Sequence, residues 1–274
     1  MIDFFSLIRI KVSLSIILST TLGLVYGGNS VNYLYFLTII AIFFLSSGCS
    51  VLNQIQEVNT DKRMERTKNR PLARNSLSMF KAFLVAYFFI IISLVILYFI
   101  NLYVFSLGVL TIIIYNFLYT PLKLKTPYSI LIGAFIGSIP PLIGYLALNN
   151  NLNYNIINIC IIYYLWQIPH FWLITEQYKK DYKRINYPFL SEKLTKKIYH
   201  RIFIIWIVAY MLSILNILII ESIGSSMNIF WIPLIIIMII CAYIYNYNNI
   251  KKLYVYHNLI LGVITILLII KKII

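Results

Sequence analysis

The chain has little charge: only 11% of its 274 residues are Asp, Glu, Lys or Arg, and only eight are acidic. Soluble domains carry about 25% charged residues, so this composition excludes an ordinary water-soluble domain. The hydrophobic share of 61% and the mean hydropathy of +0.86 indicate an integral membrane protein instead. We therefore expect the lipid bilayer to be its surroundings.

Cysteine is also scarce, with three residues, Cys49, Cys160 and Cys241. They lie in separate apolar stretches and form no Cys-x-x-Cys pair, which argues against a disulfide framework and a cysteine zinc site. The net charge of +15 raises the question of nucleic acid. Because the basic residues lie between apolar stretches and form no compact basic domain, we expect no nucleic-acid partner.

Long apolar runs predict an all-α membrane protein, since about 20 apolar residues span the hydrocarbon core of a bilayer. No soluble domain or low-complexity tract interrupts the pattern. We predict a single polytopic domain over 1–274, with about nine transmembrane helices around a central cavity. The predicted spans are 12–28, 33–56, 82–100, 102–120, 128–148, 155–176, 202–221, 229–246 and 254–270.

Positive charge is confined to one side of this predicted topology. All Lys and Arg residues except Lys271 and Lys272 lie on alternate connections, counted from the N-terminus. Because positively charged loops tend to stay in the cytoplasm, we predict a cytoplasmic N-terminus in the cytoplasmic (inner) membrane. The two longest charged loops, at about 57–81 and 177–201, then place an active site on the cytoplasmic side.

Acidic side chains are concentrated near these two loops. Asn53, Glu57 and Asp61 recur every four residues at the end of the second span, so they line one face of a helix. Two carboxylates stacked in this way repel each other unless a cation lies between them. Mg²⁺ is commonly held by one or two carboxylates and substrate phosphates, so the spacing indicates a magnesium site. The alternative is a solvated charged loop between two spans.

Basic side chains follow directly. Arg66 and Arg70 are predicted to bind phosphate oxygens, because a guanidinium group matches them in a bidentate geometry. Thr67 is predicted to add a hydroxyl group. The alternative for the basic residues is that they only set the topology of the chain. Carboxylates for a metal ion beside arginines for phosphate together predict a diphosphate site.

Three stretches resemble a known family. They are NQIQEVNTDKRMERTKNRPL at 53–72, YTPLK at 119–123 with a Gly- and Pro-bearing segment at 133–144, and LWQIPHFW at 165–172 followed by Asp181 and Tyr182. Their residues and spacing are similar to those of the UbiA-type intramembrane prenyltransferases, specifically the heme O synthases (protoheme IX farnesyltransferases). The resemblance covers about 53–190. The first span and the last three helices contribute hydropathy alone.

The resemblance implies transfer of a farnesyl group from farnesyl diphosphate to the vinyl group of protoheme IX. The products are heme O and diphosphate, and the implied setting is heme biosynthesis for terminal oxidases. Mg²⁺ is the implied cofactor. Farnesyl diphosphate, protoheme IX and the lipid bilayer are the implied partners, with a terminal oxidase or heme A synthase as candidate protein partners.

The resemblance also assigns site residues. This chain departs from the family pattern at Glu57, where Asp is common, and at Leu124, where Arg is usual. It also has Gln177 four residues before Asp181, where superfamily members often carry a second Asp. The alternative for Asp181 is an ion pair with nearby Lys and Arg side chains, and the alternative for His170 is a hydrogen-bonded core residue. The predicted catalytic and metal-binding residues are Asn53, Glu57, Asp61 and Asp181. The predicted diphosphate ligands are Arg66, Thr67, Arg70, Lys123 and Lys180, and the predicted heme contacts are His170, Trp172 and Tyr119.

Three alternatives stay open from sequence alone. One is a UbiA-type enzyme with another aromatic acceptor, such as a hydroxybenzoate or a naphthoate. Another is a polytopic transporter, which would carry polar groups at the midpoints of its spans. The third is a family member that has lost its activity.

Overall fold

The computed structural model describes residues 2–28, 31–222 and 249–273. Every regular element within these ranges is helical, and eight helices are long and apolar enough to cross a membrane. The predicted all-α membrane class is thereby confirmed, and the predicted span at 229–246 lies outside the described residues. The long helices are α1 (Ile10–Gly27), α2 (Tyr33–Gln56), α3 (Met79–Ile100), α4 (Leu102–Leu122), α5 (Ser129–Leu146), α6 (Tyr154–Gln177), α7 (Lys196–Ser222) and α8 (Ile250–Ile273).

Polar side chains begin four of these helices. Asn32, Ser78, Asn101 and Asn153 each accept a hydrogen bond from a backbone N–H two or three residues further along the chain. Such caps satisfy N–H groups that have no partner inside the helix. They matter here because an unpaired backbone group is costly at a membrane.

Helix α4 changes its winding halfway. It is α-helical over Leu102–Ile112 and π-helical over Ile113–Tyr119, a rare form that often occurs at functional sites. The buried Asn116 of this segment donates to the carbonyl oxygen of Cys49 over 3.1 Å, and Gln56 Nε2 donates to the carbonyl oxygen of Asn116 over 3.0 Å. These bonds hold the end of α4 against the end of α2.

Helices α1 and α5 pack backbone against backbone. A Cβ atom at Gly23 would lie 1.9 Å from the carbonyl oxygen of Pro141, and one at Gly144 would lie 2.1 Å from that of Thr20. Only glycine fits at such distances, and small residues are what allow membrane helices to approach closely. Helix α6 in turn packs against α5, α7 and α8, which places α6 inside the bundle.

Candidate active site

Asn53, Glu57 and Asp61 remain on one face although α2 ends at Gln56. The N–H of Glu57 donates to the carbonyl oxygen of Asn53 over 3.0 Å, and the N–H of Asp61 donates to that of Glu57 over 2.8 Å. Helical spacing therefore continues into a short helix, Val58–Asp61. The three residues are 1%, 7% and 3% exposed, so they form one buried row of oxygen donors.

Each member of this row contacts a cation from another part of the chain. Arg9 Nη2 donates to Asn53 Oδ1 over 3.0 Å, and Lys123 forms an ion pair with Glu57. Arg70 Nη1 lies 2.8 and 2.6 Å from the two carboxylate oxygens of Asp61, so the charged loop folds back over the row. We refer to these six residues, three oxygen donors and three cations, as the charge cluster.

The cations determine the ionisation of Glu57. Burial alone raises the pKa of this carboxyl, but Lys123, Arg9 and Arg70 together hold the pKa below its usual value. Burial, and then the neighbouring Arg9, lower the pKa of Arg70. Glu57 is therefore a carboxylate at neutral pH, and it has the charge that attracts a metal ion.

Arg9 was not singled out by the sequence. It lies just before α1 with a φ of 49°, a left-handed backbone conformation that is uncommon for residues other than glycine. Its guanidinium group reaches Asn53, 44 residues away, and also interacts with Tyr115 in the π-helical segment. A basic residue beside a first span is fully accounted for by topology, so no local signal could have identified this contact.

Asp181 is joined to the first motif through Arg66. Asp181 Oδ2 accepts a hydrogen bond from the backbone N–H of Arg66 over 2.9 Å, and Arg184 Nη1 lies 3.7 Å from Asp181 Oδ1. The Arg66 guanidinium group lies over the ring of Tyr178, 5.2 Å from its centroid. The two loops are thus brought together, and Arg66 faces the second loop, whereas Arg70 faces Asp61.

The other predicted diphosphate ligands lie at different depths. The hydroxyl group of Thr67 is buried and donates to the carbonyl oxygen of Asp61 over 3.2 Å, so it supports the loop. Lys180 is exposed and lines an open cleft of about 740 Å³ together with Arg66 and Asp181. Lys123 alone of these three contacts a carboxylate of the charge cluster.

The oxygen row has the chemistry of a magnesium site. Within the residues described, no three His, Cys, Asp or Glu side chains are arranged to hold one metal ion. The amide of Asn53 and the carboxylates of Glu57 and Asp61 form one row, whereas Asp181 lies beside Arg66 and Arg184. The oxygens of the row are hard donors of the kind that Mg²⁺ prefers, and in this structure they contact Arg9, Arg70 and Lys123.

His170 lies in an aromatic environment between α6 and α8. Its ring centroid is 4.6 Å from that of Trp166, 5.8 Å from Phe171 and 5.3 Å from Tyr254. His170 Nδ1 lies 3.0 Å from Asn258 Oδ1. We refer to these five residues as the histidine cluster.

Tyr119 connects the two clusters. Lys123 Nζ lies 5.7 Å from the centroid of the Tyr119 ring, and this ring stacks on Phe171 at 5.6 Å. A Cβ atom at Gly133 would lie 2.7 Å from Tyr119 and 2.8 Å from Phe171, so glycine makes room for both rings. The predicted heme contacts Tyr119 and His170 are thus linked through Phe171.

Trp172 lies elsewhere. It is 5% exposed and packs against Tyr199 and Phe203 of α7, with centroid distances of 4.5 and 5.6 Å. Its surroundings are those of a core residue between α6 and α7. The structure thus places Tyr119 and His170 along one aromatic path and leaves Trp172 outside it.

Comparison with known proteins shows which family the chain resembles. The UbiA prenyltransferase family matches residues 16–262. A protoheme IX farnesyltransferase of Oleidesulfovibrio alaskensis is 36% identical over 214 residues, which cover 77% of this chain and 75% of the relative. The protoheme IX farnesyltransferase of Christiangramia forsetii is 35% identical over 184 residues, which cover 66% of this chain and 61% of the relative.

Solved structures show the same fold. An apo UbiA homolog from Aeropyrum pernix K1 superposes with a TM-score of 0.77 at 16% identity, covering 97% of this chain and 99% of the homolog. A UbiA homolog from Archaeoglobus fulgidus, solved bound to GPP and Mg²⁺, gives a TM-score of 0.71 at 14% identity and covers 98% of each chain.

Proposed function

Because this chain belongs to the UbiA prenyltransferase family, we propose that it transfers a farnesyl group from farnesyl diphosphate to the vinyl group of protoheme IX, giving heme O and diphosphate. The observation that carries the proposal is a charge cluster joined by Tyr119 and Phe171 to a histidine in an aromatic environment. The names of its relatives support protoheme as the acceptor.

The proposed setting is heme biosynthesis at the cytoplasmic (inner) membrane, with the site open to the cytoplasm. Both long charged loops lie on the side that the positive-inside rule assigns to the cytoplasm. A terminal oxidase or heme A synthase would then receive the product directly. Such a protein partner is part of the proposal.

The charge cluster is proposed to bind the diphosphate by an exchange of partners. Arg9, Arg70 and Lys123 contact the oxygen row, and a diphosphate offers them negatively charged oxygens of the same kind. When bound to the row and the diphosphate, Mg²⁺ supplies positive charge that favours departure of the leaving group.

The reaction begins at the allylic carbon of the donor. The C–O bond breaks and its electron pair leaves with the diphosphate, where the three cations stabilise the developing charge. The π electrons of the vinyl group then form the new C–C bond to the farnesyl carbon. Water adds to the cation left on the porphyrin side chain and loses a proton, which completes the hydroxyfarnesylethyl group of heme O.

The allylic cation must be kept from water before the vinyl group attacks. The stacked rings of Tyr119 and Phe171 offer faces that stabilise positive charge between the two clusters. His170 and Tyr119 are proposed to position the porphyrin. Trp172 contributes through the packing of α6 on α7, because its ring is buried there.

Product analysis tests this function. The protein is reconstituted in lipid with protoheme, farnesyl diphosphate and Mg²⁺, and the products are identified by mass spectrometry. We expect heme O and diphosphate in equal amounts. Prenylation of a hydroxybenzoate or naphthoate, with no product from protoheme, would overturn the proposed acceptor. An absence of product from every acceptor would overturn the proposed activity.

A further inference from the structure

His170 on α6 and Asn258 on α8 meet across two membrane spans. His170 Nδ1 and Asn258 Oδ1 are 3.0 Å apart. The amide nitrogen of Asn258 donates to the carbonyl oxygen of Tyr254, one turn earlier, over 2.6 Å. A carbonyl can only accept, so this second bond fixes the orientation of the amide. The oxygen of Asn258, and not its nitrogen, therefore faces the imidazole.

This orientation determines where the imidazole carries its proton. An amide oxygen can only accept a hydrogen bond, so Nδ1 of His170 is the donor. In a neutral imidazole, the other nitrogen then holds a free electron pair. The ring lies among Trp166, Phe171 and Tyr254. Among the residues described, none hydrogen-bonds to Nε2 of His170.

Helix α8 is held in register for this contact by the residue before Asn258. His257 is fully buried, and its Nε2 lies 2.9 Å from the carbonyl oxygen of Trp166. In return, Trp166 Nε1 donates to the carbonyl oxygen of His257 over 3.2 Å. Two reciprocal hydrogen bonds thus join α6 to α8. Nε2 of His257 is thus used in joining the two helices.

From this geometry we infer that Asn258 is a positioning residue, which holds His170 in the Nδ1–H tautomer so that Nε2 binds the iron of protoheme. A histidine that binds a metal through one nitrogen typically donates from the other to an oxygen, which sets its tautomer and orientation. The inference rests on the proposed function, since the iron belongs to the acceptor substrate. It also gives α8 a part in the acceptor site.

The tautomer is measured directly by ¹⁵N NMR of histidine-labelled protein. The chain has only three histidines, and a His170→Gln variant assigns the signal of interest. We expect His170 to be neutral and protonated at Nδ1 in the native protein, and to shift toward the Nε2–H form in Asn258→Leu. A native Nε2–H form, or an unchanged tautomer in Asn258→Leu, would overturn the inference.

Thr265→Val is the matched control for this measurement. Thr265 on α8 forms a buried 2.8 Å hydrogen bond with Tyr163 on α6, and so joins the same two helices without contacting His170. The control loses one interhelical hydrogen bond, as Asn258→Leu does. We expect the tautomer of His170 to be unchanged in it, and an equal shift in both variants would mean that Asn258 acts only through helix packing.

A second measurement follows ligation of the iron. Ferric protoheme is titrated into the reconstituted protein, and its absorption and electron paramagnetic resonance spectra report the axial ligand. We expect a histidine-ligated spectrum that is lost in His170→Ala, and an affinity roughly 10- to 100-fold lower in Asn258→Leu. Asn258→Asp should restore affinity, because a carboxylate accepts the same hydrogen bond. An identical spectrum in His170→Ala would overturn ligation.

These results separate the inference from the function on which it rests. Heme O formation with an unchanged tautomer in Asn258→Leu would overturn the role of Asn258 alone. A native Nδ1–H tautomer without heme O formation would overturn the proposed function and leave the orientation of His170 established.

Discussion

The charge cluster and the histidine cluster are built from opposite kinds of interaction. In the charge cluster, buried groups of opposite charge form ion pairs: Asp61 pairs with Arg70, and Glu57 pairs with Lys123. In the histidine cluster, one imidazole is held by a neutral amide and three aromatic rings. Removing a group from the first leaves a buried charge without a partner, which is costly. Removing a group from the histidine cluster removes only a neutral hydrogen bond or a ring contact.

The largest effect is therefore expected for Asp61→Asn. The change keeps the shape of the side chain but leaves Arg70 without its carboxylate and removes a proposed metal ligand. We expect the rate of heme O formation to fall roughly 100- to 1000-fold, the range seen when a preorganised charge-stabilising group is lost. Glu65→Gln is the control, because Glu65 pairs with Arg184 at an exposed position. A normal rate in Asp61→Asn would contradict the role of the row.

A smaller effect is expected for Arg9→Gln. A hydrogen bond to a charged group contributes about 1.5–3 kcal/mol, which corresponds to roughly a 10- to 100-fold rise in KM for farnesyl diphosphate. The measurement is the KM for each substrate, and the KM for protoheme should not change. Lys11→Gln is the control, since Lys11 lies two residues away and is exposed. Equal effects from both variants would mean that Arg9 serves topology alone.

A third variant changes the histidine cluster, so it should affect protoheme and not farnesyl diphosphate. His170→Ala should weaken protoheme binding by at least the roughly 10- to 100-fold expected for Asn258→Leu, because it removes the proposed iron ligand itself, while the KM for farnesyl diphosphate stays at its native value. Equilibrium titration of protoheme provides the measurement, with His200→Gln as the control histidine. An unchanged affinity for protoheme would remove His170 from the acceptor site.

The smallest effect concerns pH. The cations hold the pKa of Glu57 below its usual value, so this carboxylate stabilises the fold at pH values above its unfolded pKa. That contribution is lost as the pH falls through the lowered pKa of the folded state. We expect Glu57→Gln to flatten the acid side of the unfolding profile, measured as the midpoint temperature in detergent between neutral pH and strong acid. Glu192→Gln, an exposed site, should keep the native profile.

Much of the fold was predictable because hydropathy determines where the membrane spans lie. Apolar length alone identifies the eight described spans, and boundaries differ by a few residues where caps such as Asn153 begin a helix. The row of Asn53, Glu57 and Asp61 was also predictable. Four-residue spacing survives the end of α2, since backbone hydrogen bonds continue into the next short helix.

Arg9, Asn258 and the position of Trp172 were not predictable. Arg9 contacts Asn53 across 44 residues, and Asn258 contacts His170 across 88, from the first and last described spans, which carry no motif. A left-handed φ at an arginine has no local sequence signal. Trp172 follows His170 by two residues, and hydropathy does not tell which face of a largely apolar helix turns toward α7. These contacts depend on tertiary packing.

The central claim is that two separate groups of residues bind the two substrates. Dissociation constants for farnesyl diphosphate with Mg²⁺ and for protoheme, measured on reconstituted Asp61→Ala and His170→Ala, test it most directly. We predict a crossed result: Asp61→Ala loses the diphosphate and keeps protoheme, while His170→Ala loses protoheme and keeps the diphosphate. If either variant lost both affinities or retained both while still inserted and folded, the claim of two separate binding groups would be wrong.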